Sequence, residues 1–266
     1  MELRKQLGPF NKEHPYKSAE VKRDSDILTI LQRSKTLNRP PKLDHQFIRP
    51  CKCLNPMRYG RVIGKFTYEY KGYVVDCFNG GFAGTVIPMS SLHMVTTMTK
   101  DDNALFILLV GNPDIFDMLA ENEFYKCFRC IILTAEGTPE FLIKMEKALQ
   151  LPVLALFNCD PHSLKTLAYY GCRLKNIKWL AIRPSDMVSH NMSVDDCTFL
   201  LTDSEITTAN DLLMDEYVKN RPGWLLELNT MLRIKQKAEI ESLACFETSY
   251  LTQVFLPMKL QLEDWI

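Results

Sequence analysis

The sequence predicts an α/β fold: a parallel sheet flanked by helices over about residues 100–185, preceded by a basic region with a β-hairpin and followed by a helical region. Three observations predict it. Four short apolar runs, Leu105–Val110, Cys130–Thr134, Val153–Phe157 and Ile177–Ile182, alternate with stretches of helical spacing. The runs are apolar at nearly every position, as strands covered on both faces must be. Upstream, Lys71-Gly72 sits between two β-rich segments, Val62–Tyr70 and Tyr73–Phe78, which is a hairpin signal.

The elements follow in order. Residues 1–25 are polar, hold two prolines and read as a loose arm. Asp26–Leu37 has the spacing of a short helix with Asp26 as N-cap, ended by Pro40-Pro41. Residues 42–60, with Pro50 and Pro56, read as loop. After the hairpin come Gly80, Gly81 and Gly84, but no GK[ST] follows and no helix pattern begins there, so a nucleotide loop is not indicated. The predicted helices between the apolar runs are Asp114–Asn122, Pro139–Gln150 and Pro161–Tyr170. Beyond 190 the spacing predicts two long helices, Thr202–Tyr217 and Pro222–Leu243.

Composition narrows the class. Of 266 residues 46% are hydrophobic, enough to bury a core, and no apolar run is long enough to cross a bilayer. Nine cysteines in no regular framework indicate a reduced, intracellular protein. Cys127 and Cys130 form a CxxC without a second pair at zinc spacing, so buried or incidental thiols are favoured over zinc. The net charge is zero but divided. Residues 1–71 hold sixteen Lys/Arg against seven Asp/Glu, and residues 72–266 hold sixteen against twenty-five. A balance of +9 suits a polyanion partner; it also suits a solvated tail.

In a parallel sheet, ligands sit at the carboxyl ends of strands. Those ends are predicted at Gly111-Asn112, Thr134–Gly137, Asn158–Asp160 and Arg183–Asp186. Alternate acids on an extended strand end face one side and can hold a divalent cation, so Asp160 is the candidate metal ligand. Its partner position is Asn158, whose amide oxygen can ligate but carries no charge. On the residues alone the favoured role of Asp160 is to cap the helix that begins at Pro161. No HExxH and no GxSxG is present, and the three tryptophans read as core or docking residues.

Several strings then occur in a family's order. Asn158–Ser163 (NCDPHS) resembles the DxDPxG segment of the A subunit of topoisomerase VI and of its meiotic double-strand-break transesterase relatives. Leu180–Asp186 (LAIRPSD), Lys235–Leu243 (KQKAEIESL) and Tyr250–Leu260 (YLTQVFLPMKL) resemble that family's LGLxPSD, KAEIxAL and YLxxVYLPxKL. The C-terminal strings look more like an animal-type meiotic protein than an archaeal topoisomerase.

The resemblance implies a Toprim domain with helical extension over 100–266, a hairpin connector over 61–99, and a basic arm with the remnant of a winged-helix domain over 1–60. It implies a nuclear protein of meiotic recombination acting on DNA, and a homodimer or a hetero-oligomer with a topoisomerase-B-like partner, away from membranes. In this family a tyrosine attacks the DNA phosphate while Toprim acids hold Mg²⁺. Four family features are missing. Gly111 stands where a glutamate is expected, and Asn158 where an aspartate is. A threonine-arginine pair is absent after Gly137-Thr138-Pro139. Lys22-Arg23-Asp24, expected to lie against DNA, is followed by Ser25-Asp26-Ile27 rather than by tyrosine, so no catalytic residue is assigned.

Overall fold

The structure is a computed structural model and describes residues 60–136, 139–189, 198–245 and 249–266. The helix expected at Asp26–Leu37, the arm with Lys22 and Arg23, and the loop up to residue 59 lie outside the described residues. The strands described are β1 (Arg61–Ile63), β2 (Phe66–Tyr70), β3 (Tyr73–Asp76), β4 (Thr85–Val86), β5 (Val95–Lys100), β6 (Phe106–Val110), β7 (Cys130–Thr134), β8 (Val153–Leu156), β9 (Ile177–Trp179), β10 (Thr198–Leu200) and β11 (Gln236–Ala238). The α-helices described are α1 (Pro113–Glu121), α2 (Phe124–Cys127), α3 (Pro139–Leu149), α4 (Pro161–Gly171), α5 (Pro184–Ser189), α6 (Asp203–Met214), α7 (Glu216–Lys219), α8 (Pro222–Ile234) and α9 (Leu256–Leu262).

The main sheet runs β4-β1-β7-β6-β8-β9. Strands β7, β6, β8 and β9 are mutually parallel, and β1 and β4 add an antiparallel flank. Every residue of β6, β7 and β8 is buried, which is why the sequence shows them as unbroken apolar runs. The chain passes from β6 to β7 on one side, then returns across β6 to β8 on the other. The carboxyl ends of β6 and β8 therefore flank the crevice where the connections part in opposite directions. The expected α/β fold with a mostly parallel sheet is the fold observed.

The predicted hairpin is β2–β3, with Lys71 at φ 53° and Gly72 at φ 81°, the left-handed pair of a two-residue turn. Its first predicted strand is broken. Val62 and Ile63 belong to the main sheet through β1, and only Phe66–Tyr70 enters the hairpin. Gly64 makes the break: its φ is 137°, and a Cβ there would come within 2.8 Å of the Cys130 carbonyl oxygen. Strand β5, which shows no clear alternation, completes a three-stranded sheet in the order β3-β2-β5. The rings of Phe66 and Tyr68 pack edge-on against Phe141 of α3, at 6.3 and 5.6 Å between centroids.

The helical C-terminal region departs from expectation in two places. Asp215 ends α6 and caps α7, accepting from the backbone N–H of Tyr217 and Val218, so the predicted Thr202–Tyr217 helix is two helices. The predicted Pro222–Leu243 helix stops at Ile234, because Lys235 turns left-handed at φ 55°. The chain then forms β11, which pairs with β10 and bridges to Cys159.

A cluster of four charges holds this region to the sheet. Lys259 Nζ donates to Asp186 Oδ2 at 2.8 Å and to Asp264 Oδ2 at 2.6 Å, and its side chain is only 3% exposed. Arg183 completes the ring through Asp186 and Asp264. Beside it, the backbones of Trp179 and Ile266 exchange two hydrogen bonds, and the indoles of Trp179 and Trp224 meet in the core. Burial works to raise the Asp186 carboxyl, but Lys259 and Arg183 outweigh it and hold it below its ordinary value of 3.8. A lowered folded value means that the ionised carboxylate stabilises the fold above pH 3.8, and that this contribution fades as pH falls through the folded value. We expect Lys259→Ala to cost about 1–3 kcal/mol by leaving the half-buried carboxylates of Asp186 and Asp264 to Arg183 alone. Urea unfolding from pH 7 to pH 3 checks this. The wild type should lose stability faster than the variant at the acid end.

Candidate functional site at the carboxyl edge of the sheet

The carboxyl ends of β6, β7 and β8 open into one cleft of about 860 Å³. Gly111, Asn112, Ala135, Glu136, Phe157 and Asn158 line it from the strand ends, and His162, Ser163 and Thr166 from α4. Three of the four predicted strand ends thus converge. The fourth, Arg183–Asp186, belongs to the buried charge cluster instead.

Each residue has a local reason for its place. Asn112 caps α1, its side chain accepting from the Asp114 N–H at 2.8 Å, and Pro113 supplies the first turn. Thr134 Oγ1 accepts from the Arg61 N–H at 2.8 Å and so joins β7 to β1. The Arg61 guanidinium lies over the Phe116 ring and takes both oxygens of Asp117, at 2.5 and 3.2 Å.

Asp160 is the N-cap of α4. Its Oδ1 accepts from the N–H groups of His162 and Ser163, both at 2.9 Å, and its Oδ2 accepts from Ser163 Oγ at 2.6 Å. Both oxygens are thus engaged by the helix the carboxylate starts. Asn158 Oδ1 accepts from the Ile240 N–H at 3.1 Å. Next to it, Cys159 exchanges backbone hydrogen bonds with Ala238 at 2.8 and 3.1 Å. Gly111 has no side chain, and the buried Phe157 ring fills the space beside it.

The resemblance calls for carboxylates that converge on a divalent cation, and this residue set does not fit one. A cation site of that kind uses one or two carboxylates with room for water and phosphate. Of the three expected positions, one is glycine, one is an amide bonded to the backbone, and one is a carboxylate spent on a helix cap. Among the described residues no three His, Cys, Asp or Glu side chains come together closely enough to hold a metal ion. The buried thiols Cys77, Cys130 and Cys159 are all raised by desolvation, Cys77 to about 12, as apolar core residues are.

Sequence reasoning missed Glu241 and Glu227. One oxygen of Glu241 is buried without a hydrogen-bond partner, and burial, then the charges of Glu239, Asp114 and Asp160, raise its carboxyl. The repeated acid in Glu239-Ile240-Glu241 was the available signal. Glu227 is buried and accepts from Ser185 N at 2.9 Å and from Ser185 Oγ at 2.6 Å. The PSD of LAIRPSD is therefore a joint, Ser185 to Glu227 and Asp186 to Lys259.

Comparison with known proteins places this geometry. The family described as the Toprim domain of the A subunit of topoisomerase 6 and of Spo11 matches residues 106–260. The chain is similar to the A subunit of DNA topoisomerase 6 of Arabidopsis thaliana, at 42% identity over 78% of this chain and 52% of that protein. It is similar to the meiotic recombination protein SPO11 of Homo sapiens, at 29% over 78% of this chain and 56% of that one. It is also similar to the A subunit of the type 2 DNA topoisomerase 6 of Aeropyrum pernix, at 24% over 78% and 59%. The plant topoisomerase subunit is thus nearer than the human meiotic protein, which is nearer than the archaeal subunit, and an animal-type meiotic protein is not singled out. The chain spans between half and three-fifths of the length of these relatives.

The capping role of Asp160 is testable. Asp160→Ala should cost about 1–2 kcal/mol, whereas Asp160→Asn should cost only a few tenths, since asparagine caps about as well as aspartate. Chemical denaturation of the two variants measures both. Equal losses would mean that the negative charge, not the cap, is what the site uses.

Proposed function

The chain belongs to the family of topoisomerase 6 A subunits and Spo11, and on that premise we propose that it is a topoisomerase-like meiotic recombination protein that acts on DNA in the nucleus. The observation that carries this reading is the match over residues 106–260, which coincides with the parallel sheet and the region latched to it. The basic balance of +9 over residues 1–71, Lys22 and Arg23 included, supports phosphate contact with duplex DNA. A second copy of the chain, or a partner like the B subunit of topoisomerase 6, is the assembly we propose. No described helix is long and apolar enough to cross a membrane.

The cleavage chemistry that the resemblance implies needs a tyrosine hydroxyl to attack phosphorus and expel a deoxyribose oxygen. What the described residues contribute is positioning. The sheet edge presents the amino ends of α1 and α4, the hydroxyl of Ser163 is held by Asp160, and the latch of Lys259 and Glu227 fixes the C-terminal region against the sheet. Two of the described tyrosines make poor nucleophiles. Tyr68 is buried, donates to the Val86 carbonyl and is raised well above its ordinary value by desolvation, and the Tyr170 hydroxyl is bonded to the Ala135 carbonyl. Tyr16, the one tyrosine of the arm, stands before Lys22-Arg23-Asp24 rather than after it and lies outside the described residues. One observation favours a second reading, a non-cleaving form that binds DNA or partners. It is the Phe157 ring packed against Gly111, where the expected glutamate would stand.

Three measurements test the proposal. The purified chain should bind duplex DNA without sequence preference, with affinity falling steeply as salt rises, and its loss from meiotic cells should reduce break-dependent recombination foci. Binding that ignores salt, or unchanged foci, would count against it. Incubated with labelled supercoiled DNA and Mg²⁺ or Mn²⁺, then denatured and digested, the chain alone should yield no tyrosine-linked 5′-phosphate. An adduct abolished by a single Tyr→Phe change would assign cleavage to this chain.

A further inference from the structure

We propose that the carboxyl-edge cleft has been rebuilt from a divalent-cation site into a packing joint, in which Phe157, Asn158 and Cys159 tie the sheet to β11 and no Mg²⁺ or Mn²⁺ is held. The inference uses the family reading only for the residues expected at positions 111 and 158.

A Cβ on residue 111 would lie 2.8 Å from Phe157 Cδ1, 3.1 Å from Cγ and 3.2 Å from Cε1. Real Cβ atoms essentially never approach within 3.0 Å, so a glutamate cannot stand at 111 while the ring is in place. The clash is with Cγ and Cδ1 near the root of the ring rather than with a flexible tip, and the residue is 4% exposed. Gly111 is also fixed by its backbone, whose N–H donates to the Leu156 carbonyl at 2.9 Å. The loss of the carboxylate and the gain of the aromatic packing are one arrangement.

The polar part follows on the next two residues. Asn158 points its oxygen at the Ile240 N–H, and Cys159 pairs with Ala238 on both backbone groups. Three consecutive residues thus join three elements: Phe157 packs on the end of β6, and Asn158 and Cys159 hold β11 and the turn after it. The half-buried amide of Asn158 is committed through its oxygen to the Ile240 N–H and brings no negative charge to the cleft. Asp160 already accepts three hydrogen bonds from the start of α4, which orients its carboxylate toward the helix it caps. The nearby acids Asp114, Glu239 and Glu241 form no group of three ligating side chains with Asp160 among the described residues.

The test uses the full chain and Mn²⁺ alone, so it is independent of DNA. Mn²⁺ uptake is read from the free-ion electron paramagnetic resonance signal, and stability from thermal unfolding with and without the ion. For the wild type we expect no uptake at millimolar Mn²⁺ and an unchanged Tm. Asn158→Asp keeps the acceptor for Ile240 and should match the wild type in both readouts, whereas Asn158→Leu should lower Tm. Gly111→Glu alone should lower Tm by about 4 °C or more without a metal response. The combined variant Gly111→Glu/Phe157→Ala/Asn158→Asp should take up Mn²⁺ and rise in Tm with it. Uptake by the wild type that Asp160→Asn abolishes would overturn the proposal. A Gly111→Glu protein of wild-type Tm that binds Mn²⁺ would also overturn it, as would a folded triple variant that binds none. If the triple variant does not fold, the wild-type titration and the Asn158 pair decide the matter.

Discussion

Strand β6 hydrogen-bonds in parallel to β7 on one side and to β8 on the other, and all five of its residues are buried. Backbone groups at such a depth must be paired, and β6 pairs its own with a parallel neighbour on each side. The chain leaves β6 for β7 on one side and returns across it to β8 on the other, and this reversal opens a crevice at the carboxyl end of β6. The helices α1 and α4 begin there, each with a side-chain cap and a proline in its first turn. The cleft is therefore a consequence of the sheet. Its chemistry is decided by the few residues that follow each strand.

The C-terminal region depends on the same sheet in a different way. It is held by charge and by backbone pairing as well as by apolar contact. Lys259, Arg183, Asp186 and Asp264 neutralise one another in a setting where any one alone would be costly. Glu227 holds the start of α5 through Ser185, and Glu205 reaches Lys237 of β11 at 2.6 Å. Ile266 covers the edge of β9, which would otherwise present unpaired backbone. The string LAIRPSD, which follows β9, is explained by this anchoring. Its serine and aspartate face the interior and meet a buried glutamate and a buried lysine.

The parts of this molecule that were legible in the sequence are those where one physical demand dominates. The strands β6, β7 and β8 stood out because two buried faces leave only apolar positions. The cap at Asp160 stood out because a polar residue before a proline marks a helix start. Less legible were β5, whose exposed threonines mask its period, and the end of α8, where Lys235 adopts a left-handed conformation usually given to glycine or asparagine. In the cleft, Asp160 was identified but two readings of it stood open, and the structure shows the cap. The contact between Phe157 and Gly111 was illegible, because it joins residues far apart in sequence and depends on ring placement. Its only sequence signal is the glycine itself, which shows a missing carboxylate but not what fills the space.

The account as a whole turns on whether the residues at this cleft face an ion or face one another. Crystals of the chain soaked in MnCl₂ and measured for anomalous scattering answer that directly. We predict no manganese peak within bonding distance of Asp160, the Phe157 ring seated on Gly111, and the Asn158 side chain bonded to Ile240. A manganese peak on Asp160 with Phe157 displaced from the end of β6 would contradict the account.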